Sequence, residues 1–398
     1  MEKTEDNMVN FNYYAPTNVL FGRGVEEQVG EIICGYGFSR ILVHFGGGSV
    51  KRSGLLDRVL ARLESAGVGY VLLGGVVPNP RISLVREGIG IVKKEKLQMI
   101  LAIGGGSVID SSKAIGYGVA SGGDPWDFYS GKRKPTGCLP VGVILTIAAA
   151  GSEMSNSSVL TNEEEVRKKG CSNDLCRPLF ALMNPELTMT LPPYQTSCGC
   201  TDIVMHSLER WFNRGGTMDL TDAISAGLIR TVMRSAAVLM EHPDDYEARA
   251  NVMWAGSLSH NGLTGCGGVG RGDWITHNME HEVGAIFDVS HGAGLAALWG
   301  SWARYVLPSC TDRFVKFATM VLDVPQQESD TETALEGIRR MEAFFRSLNM
   351  PTSLAELGVS PTEEQMRLMA HKCSGGGTVG RAADLDENDL YNIYKAAL

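Results

Sequence analysis

In the first half of the chain, short apolar runs alternate with amphipathic stretches. Val19–Phe21, Arg40–Phe45, Gly69–Leu73, Met99–Ile103, Gly142–Thr146 and Leu179–Met183 are each short, β-rich and mostly apolar. They read as buried strands. Val25–Tyr36, Leu55–Ala66 and Ser83–Lys94 carry a helical period, and another helix is expected to begin near Ser107. A strand is also expected at Phe11–Tyr14, ahead of Pro16. Strands that alternate with helices build a parallel sheet. After Pro192-Pro193 the texture changes: Thr196–Phe212, Leu220–Met240, Tyr246–Leu258, Gly292–Tyr305 and Thr331–Leu348 are long helical patterns. The expected fold class is an α/β domain with a parallel sheet over 1–190, then an all-helical domain over 191–398.

Composition narrows the class. The 398 residues carry 36 basic and 45 acidic side chains, a net charge of -9. That balance argues against a nucleic-acid partner. The first ten residues, MEKTEDNMVN, are polar, so no signal peptide is expected. No run reaches the ~18 apolar residues of a membrane span. The nine cysteines are odd in number and irregularly spaced. They read as reduced thiols of a cytoplasmic protein, with Cys198 and Cys200 as packing residues.

Glycine supplies the first candidate chemistry. Gly104-Gly105-Gly106-Ser107 sits between an apolar strand and a helix, where backbone N–H groups can take phosphate oxygens. Gly46-Gly47-Gly48-Ser49 also follows a strand. Neither is a Walker A motif or a G-x-G-x-x-G fingerprint. An ordinary strand-to-helix turn stays open for both, although the second tetrad weakens it. Lys51 and Arg52 follow directly, and no acid lies between Ile41 and Arg52. A nicotinamide site built this way favours a 2'-phosphate, hence NADP(H) over NAD(H). The small-residue loop from Thr146 to Glu153 could lie against a flat ring. Lys168 and Lys169 could reach phosphate or ribose, or be plain surface.

A second cluster has metal-ligand character. Asp202 and His206 are four apart in a helical pattern, on one face. Three of the eight histidines, His277, His281 and His291, fall within fifteen residues. One carboxylate with imidazoles suits Zn²⁺ or Fe²⁺. Asp202, His206 and two histidines from 277–291 would close one coordination sphere. A buried ionic pair is the plain alternative for Asp202 and His206. No H-E-x-x-H supports a zinc hydrolase.

At this point the residues resemble a known family. Pro16-Thr17 with Leu20-Phe21-Gly22, Gly46 to Lys51, Pro78-Asn79-Pro80, Ala102 to Ser107 with Asp110, Gly151-Ser152-Glu153, Asn184-Pro185 and Leu191-Pro192-Pro193 all match. The longest match is Gly272-Asp273-Trp274-x-x-His277-x-x-x-His281-Glu282, followed by Asp288-x-x-His291-Gly292-Ala293-Gly294. The chain resembles the iron-containing (group III) alcohol dehydrogenases over essentially its whole length. Within them it is most similar to the NADPH-dependent butanol dehydrogenase and aldehyde reductase branch. The resemblance implies a dehydroquinate synthase-like architecture, with an NADP-binding domain and a helical metal-binding domain. It puts the metal on Asp202, His206, His277 and His291, and makes His281 a proton-handling residue. It puts the pyrophosphate on Gly104, Gly105, Gly106 and Ser107, with Asp110 behind them. Gly47, Gly48 and Ser49 take the adenosine end, beside Lys51, while Asn79, Thr146 and Lys168 line the cofactor. The chain departs from the family at Ala150, where a threonine is usual.

The reaction so implied is hydride transfer between NADP(H) and a small alcohol or aldehyde, in a homodimer. Trp254, Leu258 and Trp274 are candidates for an aliphatic substrate pocket. A polyol or polyol-phosphate dehydrogenase, a dehydroquinate-synthase-like lyase, a metal-dependent hydrolase and a silent nucleotide-binding module are the rivals. A phosphorylated substrate would call on Arg210 and Arg271.

Overall fold

The computed structural model describes residues 8–216, 218–269 and 272–398. The start of the polar N-terminal run and Arg271 lie outside the described residues. Two compact units divide the chain. One is Ala15–Leu191 with Asp244–Ser257, and the other is Met1–Tyr14, Pro192–Pro243 and Leu258–Leu398.

The first unit is built on a six-stranded parallel sheet. Its strands are β1 (Asn18–Phe21), β2 (Arg40–Gly46), β3 (Gly69–Val76), β4 (Met99–Gly104), β5 (Val141–Leu145) and β8 (Phe180–Met183). Their order is β1-β8-β5-β4-β2-β3. Every residue of β4 is buried, as a central parallel strand requires. Helices α1 (Val29–Gly35), α2 (Ser49–Arg52) and α3 (Leu55–Ser65) follow β1 and β2. Helices α4 (Ile82–Glu95) and α5 (Gly106–Ser121) flank β4, and the short α6 (Trp126–Tyr129) follows. Val59 and Leu63 of α3 share a core with Ile41, Val43 and Leu101. Val85 and Ile89 of α4 share another with Leu42 and Ile100. The chain runs outward from β2 to β3, then returns to β4 on the other side of β2. That reversal makes the carboxyl ends of β2 and β4 the switch point of the sheet, the usual ligand position in such folds.

Two sequence expectations change here. Phe11–Tyr14 is not a strand: the four residues carry no regular structure. Phe11, Tyr13 and Tyr14 are exposed, so no buried face fixes them in a ladder. The strand at this end is β1, in register with β8 from Asn18↔Phe180 to Phe21↔Met183. Secondly, β6 (Ser157–Asn162) and β7 (Arg167–Ser172) form an antiparallel hairpin. Its polar strands gave no apolar run to read.

The segment 244–257 belongs with the sheet. Met253 joins the core of Val76, Ala102 and Val143, and Trp254 meets Phe21 edge-on.

The second unit is helical. It contains α7 (Pro193–Trp211), α8 (Asp219–Glu241), the end of α9 (Tyr246–His260), α10 (Ile275–Phe287) and α11 (His291–Val306). Then come α12 (Thr311–Leu322), α13 (Asp330–Ser347), α14 (Glu363–Ser374) and α15 (Glu387–Ala396). Ser329, Thr362 and Asp386 open the last three with reciprocal capping boxes. Among the described residues α8 alone is long and apolar enough to cross a membrane, where the sequence suggested none. It packs against α7 and α12. Its buried Asp222 pairs with Arg313 at 2.8 Å and with Lys316 at 2.7 Å. Those are the marks of a core helix.

Candidate metal centre and nucleotide loops

Three helices of the second unit bring the candidate ligands together. α7 carries Asp202 and His206 one turn apart, α10 carries His277, and His291 opens α11. Asp202 Oδ1 lies 3.6 Å from His206 Nδ1, 3.6 Å from His277 Nε2 and 3.7 Å from His291 Nε2. Those separations are too long for hydrogen bonds. A tetrahedral ion with arms of ~2.1 Å sets its ligand atoms roughly 3.4 Å apart. The observed spacing therefore suits atoms that share an ion. Asp202, His277 and His291 form one group, their ligand atoms within 4.8 Å of one another. His206 joins through Asp202 and lies 4.8 Å from His277, ring centroid to ring centroid.

Burial makes the fit sharper. Asp202 Oδ1, His206 Nδ1 and His277 Nε2 are buried and make no hydrogen bond. Orphaned polar atoms cost folding free energy, so three facing one another call for a common partner. Burial pushes His206 well below the ordinary imidazole range, helped by His260, His277, Arg210 and His291. It stays neutral, the form that binds metal. Burial also pulls on His277, but the carboxylates of Asp202 and Glu209 on either side of its ring outweigh it and lift it to about 9; a bound cation would take the place of the Nε2 proton. These residues fit a divalent cation.

Local sequence explains the convergence. The Asp273 N–H donates to the Glu209 carbonyl at 2.7 Å, which ties the start of α10 to the end of α7. The Asp273 carboxylate accepts the N–H of Ala382 at 2.7 Å and that of Arg381. Burial and nearby Glu209 raise that carboxyl to about 7. Gly292 lets α11 touch α7: a Cβ there would stand 2.2 Å from the Cys198 carbonyl oxygen.

Among the neighbours of these ligands, Glu209, Glu280 and His260 were not singled out from sequence, whereas His281, Trp274 and Arg210 were. Glu209 Oε1 accepts from His277 Nδ1 at 2.7 Å and from the His277 N–H at 3.0 Å. Glu280 Oε2 contacts His291 Nδ1. Both acids lie three residues after a candidate histidine, a spacing that could have flagged them. The His260 ring lies 4.0 Å from that of His206. His281 stacks on His291 at 5.7 Å between centroids, and it gathers with Glu280 and His291 as a second cluster. Trp274 abuts His277 at 5.2 Å. Arg210 spans the carbonyls of His206 and Ser259, at 2.8 and 2.9 Å, and covers Trp274. It is thus engaged in structure rather than aimed at a substrate phosphate.

In the sheet unit both glycine tetrads stand at carboxyl ends of neighbouring strands, β2 and β4. Gly105 precedes α5, and no side chain caps that helix. Its first-turn N–H groups, from Gly106 and Ser107, suit a phosphate. Thr146 N–H donates to the Gly104 carbonyl at 3.0 Å. Gly47 and Ser49 are exposed, Gly48 is half-buried, and Lys51 is exposed with its ammonium 5.2 Å from the Phe45 ring. Asp110 accepts from the Ser152 hydroxyl at 2.6 Å and the Val159 N–H at 2.9 Å. Its carboxylate thus anchors the loop that follows Thr146. The unforeseen hairpin brings Lys168 toward Asn79. Lys168 is opposite Thr161, whose N–H donates to the Pro80 carbonyl at 2.8 Å.

The model of the "Iron-containing alcohol dehydrogenase" family matches residues 16–185, and that of the "Fe-containing alcohol dehydrogenase family, C-terminal" matches 196–398. The chain belongs to the iron-containing alcohol dehydrogenase family. It is 40% identical to the probable NADH-dependent butanol dehydrogenase 1 of Bacillus subtilis, over 98% of this chain and 100% of that one. It is 31% identical to the NADPH-dependent aldehyde reductase YqhD of Escherichia coli, over 98% and 100%. The crystal structure of NADH-dependent butanol dehydrogenase A from Thermotoga maritima superposes with a TM-score of 0.94 at 36% identity, covering 98% of this chain and 99% of that one. This iron-containing alcohol dehydrogenase family member is a metal-dependent oxidoreductase that acts on a nicotinamide cofactor and alcohol–aldehyde pairs.

Proposed function

We propose that the protein catalyses reversible hydride transfer between NADP(H) and a primary alcohol–aldehyde pair such as butanol and butyraldehyde. Asp202, His206, His277 and His291 would hold one divalent ion, Fe²⁺ or Zn²⁺. The observation that carries this reading is the spacing of three imidazole nitrogens around Asp202 Oδ1. When bound, the ion supplies Lewis-acid polarisation of the alcohol or carbonyl oxygen, and the nicotinamide supplies or accepts the hydride.

The residues of the chain bind, orient and exchange a proton. One carboxylate and three imidazoles, each neutral once it ligates, would balance only half of a divalent charge, which keeps the site electrophilic. The loop of Gly104, Gly105, Gly106 and Ser107 takes the pyrophosphate, and Gly47, Gly48 and Ser49 border the adenosine end. Asn79, Thr146 and Lys168 line the cofactor, with Asp110 bracing the loop between them. His281 exchanges the proton, supported by its position against His291. Substitution His281→Ala should lower turnover more than metal content; loss of the metal would move His281 among the ligands. Of the pocket candidates, Trp274 stands against the metal histidines, whereas Trp254 packs on Phe21.

Two cofactor readings have support. The 40% identical relative is named for NADH, and the Escherichia coli relative for NADPH. The acid-free stretch before Lys51 and Arg52 favours NADPH. The deciding assay is butyraldehyde reduction by an anaerobic preparation of known metal content, with NADPH and NADH compared. Preference for NADPH, lost on chelation, is the expected result; preference for NADH would discard that part of the reading. The exposed Phe11, Tyr13 and Tyr14 support a homodimer, which light scattering tests. Nine free thiols support a cytoplasmic setting.

A further inference from the structure

We propose that Glu209 and Glu280 are positioning residues that brace the metal-ligating histidines in a crossed pattern. Each of two helices provides a ligand and, three residues on, a carboxylate for the ligand of the next helix. α7 provides His206 and Glu209, and Glu209 grips His277 of α10. α10 provides His277 and Glu280, and Glu280 grips His291 of α11. The inference rests on the metal reading above and deepens it.

The contacts have one direction. Glu209 Oε1 takes both the Nδ1–H of His277, at 2.7 Å, and its backbone N–H, at 3.0 Å. Glu280 Oε2 takes the Nδ1–H of His291. A carboxylate at Nδ1 fixes the proton there, so Nε2 keeps its lone pair. In both histidines Nε2 is the nitrogen that faces Asp202, at 3.6 and 3.7 Å. The two acids are almost wholly buried, at 2% and 0% exposure, so water has little access to either carboxylate. α11 leaves space for the second brace, because a Cβ on Gly294 would stand 2.8 Å from Glu280 Cγ.

The same atoms could be read as a second cation site of Glu280, His281 and His291. The direct contact of Glu280 Oε2 with His291 Nδ1 favours the brace, since it leaves no room for an ion between them.

The test begins with the zinc-loaded holoenzyme. A colorimetric chelator is titrated in, and retained zinc is measured for the wild type and for Glu209→Gln, Glu280→Gln and the two alanine variants. The wild type should hold one zinc per chain. Each glutamine variant should release it at roughly tenfold lower chelator, and each alanine variant at roughly a hundredfold lower. Cobalt-substituted variants should also show altered d–d absorption, which a defect in folding alone would not produce. Circular dichroism melts of the metal-free proteins check that the isosteric glutamine variants fold. Glutamine variants that hold zinc as tightly as the wild type overturn the brace. So do two zincs per chain, one of them lost in Glu280→Gln. A wild type that holds no zinc overturns the metal reading itself, and the brace with it.

Discussion

The two units treat buried polarity in opposite ways. In the helical unit, Asp202, His206 and His277 bury atoms that make no hydrogen bond and face a common point. In the sheet unit the conspicuous buried ionisable groups are saturated. The Lys113 ammonium donates to the carbonyls of Ser152, Ser155 and Ser157 and to the hydroxyls of Ser152 and Ser155. His44 meets the Leu73 carbonyl at 2.7 Å and the Ser111 hydroxyl at 2.8 Å. A saturated buried group holds a fold together, whereas an unsatisfied one awaits a ligand. Substitutions on the two sides should therefore fail differently.

The largest effect is expected at the unsatisfied side. Asp202→Ala should lower turnover on the order of a thousandfold and abolish stoichiometric metal, because the ligand set loses its only charge. Melting of the metal-free protein should barely change. A variant that keeps its metal by elemental analysis would break the comparison at its stronger end. Lys113→Met should do the reverse. It strands three carbonyls in a dry loop and should cost about 4 kcal/mol of stability, read from denaturant melts. Metal content should remain. An unchanged melt would mean that the ammonium is dispensable to the loop.

His44 sharpens the comparison through pH. Burial lowers its pKa to about 4, against the opposing bond to the Leu73 carbonyl. That carbonyl only accepts, so Nδ1 donates to it and Nε2 accepts from Ser111. The unfolded chain protonates this histidine near pH 6.5. Between the two values the unfolded state binds more protons. The stabilising contribution is complete above about pH 6.5 and is lost as pH falls toward about 4, by at most about 3 kcal/mol. Urea melts of wild type against His44→Gln should converge across that window; parallel curves would contradict the assignment. The smallest effect belongs to the exposed Lys51. Lys51→Glu should lower the NADPH-to-NADH ratio of kcat/KM by roughly tenfold. An unaltered ratio would remove Lys51 from the cofactor reading.

The parallel sheet was legible because its strands are buried on both faces and appear as apolar runs. The hairpin Ser157–Ser172 was not, because its strands are mostly polar, and one of them also meets the distant Pro80 turn through Thr161. Phe11–Tyr14 misled for the opposite reason, since aromatic residues suggested a strand where the backbone has no ladder. At the candidate site, histidine density and the Asp202–His206 spacing could be read directly. Glu209 and Glu280 were missed: their spacing after His206 and His277 was the one hint, since their partners lie 68 and 11 residues away and their helices cross only in the folded chain. The segment 244–257 joined the sheet for a similar reason. Met253 finds its apolar neighbours near positions 76 to 143 rather than in adjacent sequence.

The most direct test of the account is an anomalous-scattering crystal structure of the anaerobically purified protein. One metal peak should lie roughly 2.0–2.2 Å from an Asp202 oxygen and from one nitrogen each of His206, His277 and His291. A peak held instead by Glu280 and His281, or none in a preparation that still turns over, would contradict it.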